Sequence, residues 1–155
     1  MGTEIREMGI DDIAEVFHLG EKLFTSHKHT NLYRTWDEYE VIGLYQSDPE
    51  LCFVADCDNT LGGFLLGATV EKAGTAWNYG HIIWLGVRDR HQKVGVGKRL
   101  FDVFKRRMLQ RGIRILVADT QADNHAALTF LRRQGFSQAA EHVYMSLNLE
   151  SSAKE

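Results

Sequence analysis

Proline is nearly absent from this 155-residue chain, with Pro49 as its one example. A proline-poor sequence that is 44% hydrophobic argues against a disordered or linker-like protein and for a compact, well-patterned globule. Cysteine is almost as scarce. Cys52 and Cys57 lie in or beside one expected strand, and regular alternation sends residues five apart to opposite faces. Neither a disulfide nor a cysteine metal pair is expected, only buried free thiols. Long apolar runs are missing too. None approaches the roughly 20 residues of a membrane span, and the acidic start Met1-Gly2-Thr3-Glu4 has no signal-peptide apolar region, so a cytoplasmic protein without a membrane partner is expected. Gly2 makes no myristoylation case, because position 6 is Arg. Metal-ligand spacing is lacking as well. His27-x-His29 is followed by no carboxylate or Cys at ligand distance, so no metal is expected.

What is present is an uneven charge. The net charge is −3, yet residues 1–87 carry 5 Lys and Arg against 14 Asp and Glu, a net of −9. Residues 88–114 carry 10 against 2, a net of +8, and residues 115–155 carry 3 against 5. The basic stretch suits an anion, and the acidic remainder would attract a cation. A nucleic-acid partner is not expected. The rest of the surface would repel a polyanion, and Phe101 and Phe104 in the basic stretch have core spacing.

Hydropathy periods predict one domain over residues 1–150 and a frayed tail at 151–155. A short edge strand around Ile5 leads to a helix over 11–26. Thr35-Trp36-Asp37-Glu38 resembles a capping box, Thr35 as N-cap, opening a helix to about Gln46. Strands are expected at 51–57 and 61–71, joined by the turn Asp58-Asn59-Thr60, and at 78–88, with a long helix at 95–111 and a strand at 113–120 that the crossover rule makes parallel. Asp123 or Asn124 caps a helix to Gln134, closed by Gly135. Strands at 136–140 and 142–149 finish the chain.

The centre of interest is Gln92-Lys93-Val94-Gly95-Val96-Gly97-Lys98-Arg99, between an apolar strand and a basic helix. Gly95 and Gly97 let backbone approach a phosphate without Cβ atoms in the way, and a helix N-terminus supplies N–H donors. Lys93, Lys98 and Arg99 add charge. A dinucleotide loop would need Gly at position 100, which is Leu, and a Walker loop needs Ser or Thr where Arg99 stands.

Four features in register resemble the GNAT (Gcn5-related) N-acetyltransferase family: the strand Trp84-Leu85-Gly86-Val87 with Gln92-x-x-Gly95-x-Gly97, the basic helix that follows, Asn124-x-x-Ala127, and Gly135-Phe136. The resemblance covers residues 50–149 well. It implies an α+β, GNAT-like single domain: a central mixed, mostly antiparallel twisted sheet of about seven strands with four helices, splayed at strands 4 and 5. It also implies acetyl-CoA as acyl donor. The pyrophosphate would lie over Gln92, Lys93, Val94, Gly95, Val96, Gly97, Lys98 and Arg99, the pantetheine arm along Leu85, Gly86 and Val87, and Asn124 and Ala127 near its thiol end.

Acetylation of an amine requires deprotonation of the ammonium, polarisation of the thioester carbonyl and a leaving thiolate. The resemblance implies the Val87 N–H for the carbonyl. His81, six residues before Val87 where histone-type members carry a glutamate base, is the candidate base, with a hydrogen-bonded structural histidine as the alternative. In a regular strand 81, 83, 85 and 87 share a face, although a bulge would break that parity. Many members have a Tyr acid seven residues after the Asn. Here that position is Leu131, leaving Tyr144 and Tyr79 as candidate replacements. Tyr33, Trp36 and Tyr39, with Glu141 and His142, are candidate acceptor-site residues, ordinary packing being the other reading of the aromatics. The expected acceptor is a small-molecule amine, a peptide or a protein amine, and the expected state a monomer or homodimer. A non-catalytic acyl-CoA sensor is the alternative function.

Overall fold

The computed structural model describes residues 2–24, 35–72 and 77–152. Contacts divide the chain into two compact units, Met1–Asp119 and Thr120–Glu155.

In the first unit, β1 (Thr3–Glu7), β2 (Cys52–Cys57), β3 (Thr60–Glu71), β4 (Asn78–Val87) and β5 (Ile115–Ala118) form one sheet in that order. The first four pair antiparallel, and β5 runs parallel to β4. The Asp58-Asn59 turn between β2 and β3 has both residues at positive φ, 53° and 66°, the hairpin geometry that Asp and Asn tolerate. Helices α1 (Ile13–Phe24) and α2 (Glu38–Ser47) precede β2, and α3 (Val96–Gln110) links β4 to β5.

The helices place the core on two faces of the sheet. Beneath α1 and α2, Val16, Leu19, Trp36, Val41, Phe64, Leu66 and Trp84 are buried together. Trp36 lies against Gly20, where a side chain would collide with the indole, and donates its Nε1–H to the Phe17 carbonyl at 3.0 Å. Phe64, fully buried, contributes about 1.5–3 kcal/mol by burial alone. On the other face, α3 approaches β3 and β4 at small residues: Leu100 at Gly63, Phe104 at Gly67 and Met108 at Gly80.

One expectation is corrected within this unit and one open alternative is decided. The N-cap of α2 is Asp37 rather than Thr35, its carboxylate accepting from the Glu40 N–H at 2.8 Å. A carboxylate is as good an N-cap as a hydroxyl, and it starts the helix two residues later. The face shared by 81, 83, 85 and 87 is also broken. Leu66 pairs with Trp84 but Gly67 pairs with Ile82, so Ile83 is an extra residue in β4. Gly80 meets Met108 of α3, whereas Gly86 meets Leu23 and Phe24 of α1. His81 therefore shares the α1 and α2 face with Tyr79, Trp84 and Gly86, and Leu85 and Val87 face α3.

In the second unit, Asn124 caps α4 (His125–Arg133), accepting from the Ala127 N–H at 3.2 Å. The expected strands at 136–140 and 142–149 are not formed. Gln138 sits at φ 58°, which interrupts extended backbone, and Val143, Met145 and Leu147 are exposed rather than packed on a sheet. The described residues instead close with a helical turn, α5 (Leu149–Ser152), which takes in the first two residues of the expected tail. Among the described residues the sheet thus has five strands where about seven were expected, within the mostly antiparallel α+β architecture anticipated. Tyr33, His27 and His29 lie outside the described residues.

Candidate functional site

β4 outruns its neighbour. Pairing with β5 extends from Tyr79–Ile115 to Ile82–Ala118, while β4 continues to Val87. Bulge and early termination of β5 together open the sheet between the two strands, leaving Ile83–Val87 beyond the register of β5. A 3-10 segment, Asp89–Val94, follows, and Gln92 secures it: its Nε2 donates to the Val87 carbonyl at 3.0 Å and to Asp89 Oδ1 at 3.2 Å.

Gly95 then turns the chain at φ 84°, a left-handed conformation strained for other residues, and serves as N-cap of α3 without a side chain to cap with. The first turn of α3 holds no acidic residue. The N–H groups of Val96, Gly97 and Lys98 have no partner within the helix by geometry, and the helix dipole adds partial positive charge. Gln92, Lys93, Val94 and Gly95 are exposed around this end, and Gly97 is partly so. The arrangement fits a phosphate diester or pyrophosphate approaching along the end of β4.

Much of the charge in the basic helix is engaged elsewhere. Lys98 pairs with Asp102 at 2.7 Å, Arg107 with Glu7 at 2.9 Å and Arg111 with both Asp48 and Glu50. The Arg111 guanidinium holds the Asp48 carboxyl below its usual range. Arg99 lines a shallow depression against Thr3, Glu4 and Ile5 of β1. Backbone donors stand at the loop with the exposed side chains of Lys93 and Arg99.

His81 is brought beside a residue that sequence reasoning missed. Its Nε2 lies 3.0 Å from Asp119 Oδ1, with both side chains partly open to solvent, 28% and 42%. Asp119 follows β5 directly, and the parallel register that pairs His81 with Val117 carries Asp119 to the same face. An acid at the end of a crossover strand was the available signal. Glu40 was also missed. It accepts from Trp84 Nε1 at 3.1 Å on that face, and no sequence pattern linked α2 to β4.

The other candidates scatter. Trp36 is a core residue, stacked on Phe17 and Phe64, whereas Tyr39 is 83% exposed on α2. Tyr79 stands two residues from His81 on the same face. Within the second unit, Asn124 Nδ2 also donates to Thr120 Oγ1 at 3.2 Å, Leu131 lies in α4, and Glu141, His142 and Tyr144 are exposed. No group of three or more His, Cys, Asp or Glu is placed to hold a metal among the described residues, and no described helix is long and apolar enough to cross a membrane.

Both cysteines are free and buried. Burial pushes the Cys52 thiol up to about 12, which keeps it protonated and unreactive near neutral pH. Iodoacetamide is expected to leave Cys52 unlabelled in the native protein and to label it once denaturant is added; native labelling at the unfolded rate would refute this.

The chain matches the model of the family described as the acetyltransferase (GNAT) family over residues 14–136. A protein named acetyltransferase from Yersinia pestis (strain Pestoides F) is 28% identical over 127 residues, 81% of this chain and 81% of its own. Ard1 from Thermoplasma volcanium superposes with a TM-score of 0.76 at 21% identity, over 90% of this chain and 86% of that one. Naa50 of Arabidopsis thaliana, solved with the bisubstrate analogue CoA-Ac-MVNAL, has a TM-score of 0.74 at 17% identity, over 90% of this chain and 86% of its own. These two structures share the fold.

Proposed function

We propose that this chain, which belongs to the acetyltransferase (GNAT) family, transfers an acetyl group from acetyl-CoA directly to a primary amine within a ternary complex. The observation that carries this reading is the join of β4 to α3: a strand running past its parallel partner, a left-handed glycine, and an uncapped helix N-terminus. The N–H groups from Val94 to Lys98, with Lys93, would hold the pyrophosphate, and Leu85–Val87 the pantetheine arm. A CoA-containing bisubstrate analogue bound to a protein of the same fold supports that assignment.

The chain's own groups meet two chemical needs. The Val87 N–H would polarise the thioester carbonyl, and His81 would take a proton from the acceptor ammonium, freeing the lone pair that attacks. Tyr79, on the His81 face, is the nearest candidate on β4 to protonate the leaving thiolate. Direct attack agrees with the protonated, buried Cys52. A peptide or small-molecule amine suits the acidic first half of the chain. Leu131, where many relatives carry the acid, favours the second reading, an acyl-CoA sensor without turnover.

Thermal unfolding with saturating acetyl-CoA, and with NADH and ATP as controls, tests the site. A ligand at a hundredfold over its Kd adds about 2.7 kcal/mol. At roughly 2–4 °C per kcal/mol, the midpoint is expected to rise by roughly 5–10 °C with acetyl-CoA or CoA alone. No shift would refute the site. CoA release above the hydrolysis background with any of a panel of amines and peptides would exclude the sensor.

A further inference from the structure

We infer that Asp119 is a positioning residue that holds His81 as the Nε2–H tautomer and makes Nδ1 the atom that receives the proton. The inference rests on the acetyl-transfer reading above and adds to it a residue and an atom.

A carboxylate accepts hydrogen bonds and does not donate them, so the 3.0 Å contact between Asp119 Oδ1 and His81 Nε2 requires the hydrogen on Nε2. The lone pair of the neutral ring is then on Nδ1, since one ring nitrogen donates while the other accepts. The sheet holds the His81 side of the contact, and Asp119 is the first residue after β5. His81 is paired on one side with Ala68 of β3 and on the other with Val117 of β5. Neither partner carries a charge or a competing hydrogen-bonding side chain. Asp119 stands one residue past Ala118, where the β4–β5 pairing ends. The carboxylate therefore sits at the point where the sheet opens, and Tyr79 on the same face is the nearest titratable group along β4.

The proton count closes on this arrangement. The acceptor ammonium gives one proton to Nδ1, and the imidazolium so formed keeps Nε2–H on Asp119. The freed nitrogen lone pair forms the C–N bond at the thioester carbonyl carbon. The C–S bond breaks and its electron pair leaves on sulfur. The second nitrogen proton departs as the amide forms and is balanced by protonation of the thiolate, and the imidazolium then releases its Nδ1 proton to solvent, which restores the neutral ring. The carboxylate lowers the barrier by offsetting the positive charge that appears on the ring, without touching either substrate.

Two measurements on the full chain test this. The first is the nitrogen-15 NMR signature of the His81 ring, assigned by its loss in His81→Ala, in the parent and in Asp119→Ala. The parent is expected to show the Nε2–H tautomer, and Asp119→Ala a mixture. A parent ring protonated on Nδ1, or a signature unchanged in Asp119→Ala, overturns the inference. The second is steady-state kinetics of Asp119→Ala and of Asp119→Asn, which keeps the volume and removes the charge. Both are expected to lower kcat by about 10–100-fold with acetyl-CoA affinity unchanged by calorimetry. Parent-like kcat in both overturns the inference, as does a loss confined to acetyl-CoA affinity. A parent that binds acetyl-CoA but releases no CoA with any amine overturns the transfer reading and the catalytic part of this one, while the tautomer result still reports whether Asp119 positions the ring.

Discussion

Gly97→Trp is expected to abolish acetyl-CoA binding while the protein still folds. Gly97 is the second residue of α3 and only partly exposed, among the N–H donors assigned to the pyrophosphate. An indole there would fill the space a phosphate needs, and no gain elsewhere would offset the lost donors. The neighbouring positions Val96 and Leu100 are buried, so the variant's own thermal unfolding without ligand is the check that the fold is kept. Calorimetry should show at least about a 100-fold weaker affinity, which corresponds to roughly 2.7 kcal/mol. The thermal shift given by acetyl-CoA should vanish with it. Unchanged affinity in a folded variant would remove the glycine loop from the site.

His81→Ala is expected to separate chemistry from binding. The side chain lies on the α1 and α2 face, opposite the side chains of Leu85 and Val87, so its loss should leave acetyl-CoA affinity within about twofold. General-base catalysis contributes typically about 10²–10⁴-fold, and kcat near pH 7 should fall by an amount in that range. A rate equal to the parent's would make His81 a structural histidine held by Asp119. A parallel fall in acetyl-CoA affinity would place it in the donor site instead. The pair of variants is informative together: Gly97→Trp removes the donor site and His81→Ala the proton acceptor, and neither should mimic the other.

Local signals explain most of what was legible in advance. Gly95 and Gly97 between an apolar strand and a basic amphipathic segment announced the loop and α3. Asp123 and Asn124 announced a cap for α4, which Asn124 supplies, because such a side chain satisfies an N–H three residues on regardless of what surrounds it. Asp58 and Asn59 marked a hairpin for the same kind of reason. Each is a short-range interaction whose partners are within a few residues, so the amino-acid order alone specifies it.

Contacts between distant residues were decided only by tertiary structure. The extra residue at Ile83 depends on how β3 and β4 register, and it alone determines that His81 shares a face with Trp84 rather than with Val87. Asp119 reaches His81 across 38 positions because α3 returns the chain to a parallel strand. Glu40 reaches Trp84 across 44 positions because α2 packs on that face. Trp36, legible as an aromatic near a helix start, is core because Gly20 leaves room for it. By itself the sequence determined the strand and helix order of residues 3–133 and the glycine loop, since these follow from periodicity and backbone sterics. Which side chains meet on the face beside that loop was decided by sheet register and helix packing, which no local pattern encodes.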